Sequence, residues 1–282
     1  MLYTVKNHNL EISADTFGAE LHSVKFEGRE YLWQCGDAWK RYAPVLFPFV
    51  CSPKDKSYKA DGKDYKMKAN HGFARDMEFE FAGQTGNSIE FVLKDNEDTL
   101  SQYPYNFEFT VRYTAEGNCV KVENTVKNTG GRTMYFYVGG HPAFNCPLQE
   151  GETFEDYYVE YEKNEKISDG AGNPITDCGN VLNMTRALFD NDAIIIDKPY
   201  SKAVSLKCRS SEHSVTVKYP QSDCIAVWSP TGDDSAKFVC LEPWTSVPVY
   251  ADDEFEDIEK KPHAVSLDAG KIFSYSYTIE LR

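Results

Sequence analysis

The chain has no run of ~18 consecutive apolar residues, so nothing in it reads as a membrane-spanning helix. Its opening, Met1-Leu-Tyr-Thr-Val-Lys-Asn-His8, also lacks the basic stretch and apolar run of a secretion signal. The expectation is a soluble cytoplasmic protein that does not engage a membrane. None of the eight cysteines forms a C-x-x-C pair, and in a long cytosolic chain such scatter reads as free thiols rather than disulfides or a zinc site. Positive charge is short as well: 30 Lys and Arg face 44 Asp and Glu, a formal net charge of −14. That balance excludes nucleic acid as a natural partner. The acidic runs at 95–98, 232–234 and 252–259 do not have calcium-loop spacing, so no metal is expected. Serine-hydrolase elbows, phosphate-binding loops, dinucleotide fingerprints and H-E-x-x-H are absent too.

Amphipathic helical periodicity is scarce, and β signals fill the space. Aromatic residues reach 14%, with 18 Tyr and 17 Phe, and alternating segments such as Asn106-Phe-Glu-Phe-Thr-Val-Arg-Tyr113 and Cys119-Val-Lys-Val-Glu-Asn-Thr-Val126 recur between turn residues. Asp61-Gly62 predicts a two-residue hairpin turn. Strands are expected at Met77–Phe81, Ser88–Leu93, Tyr157–Tyr161, Ala193–Ile196, Lys237–Leu241 and Ile272–Ile279, and a short helix over Asp98–Gln102 capped by Asp98. Without repeats or a Pro/Gly/Ser linker, residues 1–282 read as one all-β domain, a large antiparallel β-sandwich.

Three segments carry candidate chemistry. In Tyr135-Phe-Tyr-Val-Gly-Gly-His-Pro142 an aromatic strand runs into two glycines that break regular pairing, then His141, which at such a break either titrates near neutral pH as a proton donor or acceptor or serves the fold alone. In Asn70-His-Gly-Phe-Ala-Arg75, His71 and Arg75 present a donor and a fixed cation to an oxygen-rich ligand, or are a plain loop pair. In Phe238-Val-Cys-Leu-Glu-Pro-Trp244 an apolar strand ends in Glu242, whose partial desolvation predicts a raised pKa suited to a base; the alternative is a solvated strand end. Asp190 or Asp192 is a weaker candidate for accepting sugar hydroxyls.

Taken in order, Arg41-Tyr-Ala-Pro-Val-Leu-Phe-Pro48, Asp61-Gly62, His71-Gly-Phe-Ala-Arg75, Gly139-Gly-His-Pro-Ala-Phe144, Asn191-Asp-Ala193 and Leu241-Glu-Pro-Trp244 resemble the aldose 1-epimerase (galactose mutarotase-like) superfamily, with the LacX-type branch the nearest in character. The resemblance implies a β-sandwich of the galactose mutarotase type with a monosaccharide in an open groove across one sheet. It implies His141 as general acid, Glu242 as general base, His71 polarising the sugar near its ring oxygen, Arg75 as the cationic contact and Asp192 as a hydroxyl acceptor. No cofactor is implied, and a monomer or homodimer is expected. Where many relatives would carry Gly-Arg, this chain reads Phe49-Val-Cys-Ser-Pro53, so that contact is either missing or supplied by Arg41 or Lys54. Trp228, Trp244, Phe73 and Phe144 offer apolar faces to a sugar ring. The implied reaction is interconversion of the α and β anomers of a free aldohexose. Alternatives are a hexose-6-phosphate 1-epimerase, a catalytically silent carbohydrate-binding or sensing protein of the same fold, and a glycoside hydrolase pairing Glu242 with Asp192.

Overall fold

Alternation of side chains sets the layers. The strand Phe107–Glu116 buries Phe107, Phe109, Val111, Tyr113 and Ala115 and turns the residues between them away, as the two-residue period of a strand requires. Its antiparallel partner Cys119–Asn128 is in matching register, with Phe109 opposite Val126 and Tyr113 opposite Val122. In the computed structural model, which describes residues 1–232, 235–247 and 256–282, this pair belongs to a nine-stranded antiparallel sheet. Its order is Pro174–Asn183, Tyr157–Ser168, Ala203–Cys208, Ser214–Lys218, Ile272–Leu281, Cys119–Asn128, Phe107–Glu116, Ser88–Lys94 and Glu80–Gln84. Ile272–Leu281 holds the middle, pairing with Cys119–Asn128 on one side and Ser214–Lys218 on the other.

A second antiparallel sheet, six strands among the described residues, runs Ile194–Asp197, Cys224–Trp228, Phe238–Trp244, Gly139–Gly140 and Val45–Leu46, with Ala143–Asn145 also paired to Phe238–Trp244. The two sheets face each other as a sandwich, and a smaller four-stranded sheet from Leu2–Asn7 to Arg29–Glu30 adjoins them. One hydrophobic cluster extends from Val5 to Leu281. Gly140 marks a point where the sheets touch: a Cβ there would lie 2.3 Å from the Tyr277 hydroxyl. Among the described residues no helix is long and apolar enough to cross a membrane.

Phe47 joins the sheets to the loop that follows. Its ring stacks on Phe109 at 4.5 Å and meets the edges of Phe73, Tyr103 and Phe107, while its carbonyl accepts from the N–H groups of Phe73 and Ala74 at 3.1 Å each. The segment His71–Arg75 is thus fastened to the core by one residue's ring and backbone together.

The hairpin at Asp61-Gly62 forms as its turn chemistry predicts, with both residues at positive φ. Other expectations shift. The helix spans Glu97–Gln102 and its cap is Asn96, which accepts from the Thr99 N–H while Thr99 accepts from Asn96; Asp98 instead reaches Lys68. The strand expected from Met77 begins at Glu80, because Ala74–Asp76 turns as a short 3-10 segment and the Met77 carbonyl accepts from Gly18. Gly139 and Gly140 do not end pairing: they are themselves paired with Val45–Leu46, and the breaks fall at Tyr137–Val138 and His141–Pro142. The acidic runs near 233–234 and 252–255 lie partly outside the described residues.

Phe47→Ala is expected to lower stability by about 3–5 kcal/mol, the usual cost of deleting a fully buried aromatic ring, read as a fall in the denaturation midpoint with an unchanged slope. A loss below about 1 kcal/mol would show that Phe47 does not tie the loop to the core.

Candidate active site

The strand Phe238–Trp244 is buried along its whole length, which requires cover on both faces. Val239 and Leu241 face the main core, whereas Phe238 and Cys240 form a second, smaller cluster with Ala143 and Ala236 beneath Trp33, Trp39 and Trp228. By the same alternation Glu242 lies on the face of Phe238 and Cys240, under aromatic cover. The neighbouring segment is held by the chain at 42–44: His141 N–H donates to the Pro44 carbonyl and Ala143 N–H to the Tyr42 carbonyl, each at 3.1 Å. Buried Glu20 fixes that chain in turn by accepting from Tyr42 and Ala43 N–H at 2.7 and 3.0 Å.

These supports bring His141 Nε2 to 3.1 Å from Glu242 Oε2, with His141 7% and Glu242 1% exposed. The approach is not aligned as a hydrogen bond, and Oε2 is left without such a partner. The imidazole stacks on Trp39 with ring centroids 5.1 Å apart and meets His71 and Trp228 edge-on at 5.4 and 5.8 Å. Burial pushes the Glu242 carboxyl well above the usual range, and Asp192 adds to the push against the pull of Arg75. Burial also holds His141 well below its usual range, reinforced by the charge of Arg75. Glu242 therefore behaves as its desolvation predicted. The dry aromatic setting disfavours the charged form of His141, which shifts it away from the ordinary imidazole range.

His71 is fixed differently. The Cys51 N–H donates to its Nδ1 at 3.0 Å, so the neutral ring carries its proton on Nε2. Burial, with Arg75 and Arg41, pushes its pKa down to about 3. His71 is a neutral donor in consequence. It sits at φ 61°, followed by Gly72 at φ 75°, where a Cβ would lie 2.1 Å from the Phe47 carbonyl oxygen. Only glycine fits both the left-handed backbone and the gap.

A cavity of about 490 Å³ opens over these groups, and its lining includes His71, Arg75, His141, Asp192 and Glu242 together with Trp39, Trp228 and Trp244. Four buried polar atoms of the lining have no hydrogen-bond partner: Arg75 Nε, His141 Nδ1, Glu242 Oε2 and Trp244 Nε1. Buried polar groups are normally satisfied, so their convergence on one cavity marks a place built for a polar ligand. Asp192, exposed and at φ 73°, stands at the rim.

His71, Arg75, His141, Asp192 and Glu242 are thus brought together, as the order of the motifs suggested. Arg41 is not: it stands behind Arg75, donating to the Arg75 carbonyl at 3.2 Å and to Asp76 at 2.6 Å, because the nearest acceptors lie on that side. Lys54 and Asp190 do not line the cavity either; Cys51 and Ser52 occupy the wall where the extra contact was expected. Phe73 and Phe144 are core residues, 4% and 0% exposed, whereas Trp228 and Trp244 do line the cavity. Trp39 was missed by the sequence reading. Its signal was a tryptophan in a turn-rich stretch without alternation, held by the Trp33 indole donating to its carbonyl at 2.9 Å.

An antiparallel sandwich with two histidines, an arginine and a carboxylate on one concave face defines a fold of the galactose mutarotase type. The chain belongs to the aldose 1-epimerase family, whose sequence profile matches residues 1–280. Protein LacX of Lactococcus lactis subsp. lactis, in its plasmid and chromosomal forms, is 33% identical over 99% of this chain and 99% of its own length. A galactose mutarotase related enzyme from Lactobacillus acidophilus superposes with a TM-score of 0.90 at 32% identity, over 100% of this chain and 97% of that one. A galactose mutarotase-like protein from Lactobacillus casei ATCC 334 gives 0.90 at 28% identity, over 100% of both chains.

Nitrogen NMR of labelled histidine is expected to show His71 as the neutral Nε2–H form throughout the range around pH 5 to 8 in which free histidine titrates. A protonation step near pH 6.5 would contradict the Cys51 clamp. Gly72→Ala is expected to cost more than about 1 kcal/mol, since the new methyl meets backbone in a disfavoured conformation; thermal denaturation reads it.

Proposed function

We propose that the protein is an aldose 1-epimerase that interconverts the α and β anomers of a free aldohexose. The observation that carries this reading is the 3.1 Å approach of a buried imidazole and a buried carboxylate inside a cavity of monosaccharide size. Mutarotation needs two proton transfers on oxygens that share one carbon. A base takes the proton of the anomeric hydroxyl while an acid protonates the ring oxygen. The bond between the anomeric carbon and the ring oxygen breaks, and the resulting aldehyde recloses after presenting its other face. An acid and a base a hydrogen-bond length apart match two oxygens on one carbon.

In this reading His141 is the acid and Glu242 the base. The pair shares one proton, which burial favours on Glu242; passed across to His141, it leaves an imidazolium facing a carboxylate. Ring opening then moves the proton of the anomeric hydroxyl to the carboxylate as the imidazolium gives its own to the ring oxygen, and reclosure runs both transfers backwards. The pair is restored after each turnover without outside help. His71 donates its Nε2–H beside the ring oxygen, Arg75 offers a cation from behind, and Asp192 accepts from hydroxyls at the rim. Trp39, Trp228 and Trp244 give apolar C–H faces of the ring something to lie against.

Arg75 is the one cation among the described lining residues, whereas a phosphorylated hexose needs two or more converging basic groups. The free sugar is the better fit. A silent binding protein would have no use for a matched acid and base, and a glycoside hydrolase would leave both histidines idle.

The test is the decay of optical rotation of fresh α-D-galactose and α-D-glucose. Wild type is expected to speed it well beyond buffer, and Glu242→Gln and His141→Asn each to lose ~10²–10⁴-fold in kcat, the worth of a general acid or base. Wild type equal to buffer on a panel of aldoses would replace the epimerase with a binder. Asp192→Ala is expected to raise KM by about 10-fold with a smaller effect on kcat, as loss of a hydrogen bond to a charged group predicts.

A further inference from the structure

Epimerisation as proposed leaves one neighbour of the acid–base pair unused. Cys240 precedes Glu242 by two residues on the strand Phe238–Trp244, so both side chains leave the same face. A ring nitrogen of His141, the Cys240 sulfur and a carboxylate oxygen of Glu242 all lie within 4.8 Å of one another, and all three residues are buried. Cys240 is fully buried and a free thiol.

Thiolate, imidazole and carboxylate are the donor types of zinc sites. A tetrahedral ion with bonds of about 2.0–2.3 Å holds its ligand atoms roughly 3.3–3.6 Å apart. The one edge fixed here, 3.1 Å between His141 Nε2 and Glu242 Oε2, is close to that spacing, and the sulfur, within 4.8 Å of a ring nitrogen and a carboxylate oxygen, has to close by about 1.2–1.5 Å at most to reach it. Three protein donors with an open fourth position are the pattern of zinc sites that accept an outside ligand, and two of the three here, His141 and Glu242, line the sugar cavity while Cys240 lies buried beside them.

We propose that His141, Cys240 and Glu242 form a three-ligand site for a soft divalent cation, Zn²⁺ or Cd²⁺, and that the bound ion silences the acid–base pair. As the metal–ligand bonds form, two protons leave to solvent, that of the Cys240 thiol and the one that His141 and Glu242 share. Thiolate and carboxylate then neutralise the dication, so no net charge is buried. Asp192 favours the cation and Arg75 opposes it; His71, neutral, contributes no charge. Binding stands on the donor geometry alone, whereas silencing rests on the epimerase reading.

Cobalt(II) titrated into the whole protein tests binding without any assay of turnover. Wild type is expected to give a thiolate-to-cobalt charge-transfer band that saturates at one equivalent and is displaced by Zn²⁺, and Cys240→Ala to lack it. His141→Asn is a second variant, expected to weaken the band, that does not depend on Cys240→Ala folding. Loss of an outer-shell partner alone costs 10–100-fold in metal affinity, so Cys240→Ala is expected to shift zinc inhibition of mutarotation by ~100-fold or more while retaining metal-free activity. An unchanged band in Cys240→Ala, or no band in wild type, would overturn the site. A normal band with no zinc effect on an active enzyme would overturn the silencing. A band with no mutarotation in any protein would leave the site standing and reject the epimerase.

Discussion

The strand Phe238–Trp244 has to be dry on both sides, and the rest of the molecule follows from that requirement. One face supplies Val239 and Leu241 to the sandwich core; the other carries Phe238, Cys240 and Glu242 beneath a roof of tryptophans. A strand with one wetted face would leave Glu242 an ordinary surface acid. Two of its tryptophans, Trp33 and Trp39, come from a distant part of the chain and the third, Trp228, from the adjoining strand, while the opposing imidazole comes from a third segment locked by Glu20 through the chain at 42–44.

Desolvation is the physical lever of the site. It moves Glu242 up and His141 down, so each group is driven towards the form without charge. In the proposed reaction, opening the sugar converts a charged pair into a neutral one, and the dry setting favours that direction in the step that breaks the ring. His71 is withdrawn from proton transfer by a single backbone N–H, which assigns its tautomer whatever the solvent pH does nearby. Two histidines with rings 5.4 Å apart are thereby given different work.

Much of this was legible in the sequence because it is local. Alternation marked Phe107–Glu116 and Cys119–Asn128, turn chemistry marked Asp61-Gly62, and the order of short motifs pointed to His71, Arg75, His141, Asp192 and Glu242. What was not legible depends on partners far along the chain. Nothing around Gly139-Gly140 says that Gly139 is there to admit Trp244 and Gly140 to admit Tyr277 rather than to end a strand. Arg41 looks like a ligand contact until Asp76 and the Arg75 carbonyl are seen to take its guanidinium. Asn96 was passed over for Asp98 because both residue types cap helices equally well, and only the reciprocal bonds with Thr99 decide between them.

The place of Ile272–Leu281 at the centre of the large sheet bears on how the chain is made. The strands drawn from residues 80–128 and those drawn from 157–218 leave the ribosome first, and each set presents a long unpaired edge until the strand between them emerges. Such edges invite pairing with other chains. Until that strand is made, the two half-sheets lack their shared neighbour, and closing the large sheet waits on the last of its nine strands in chain order.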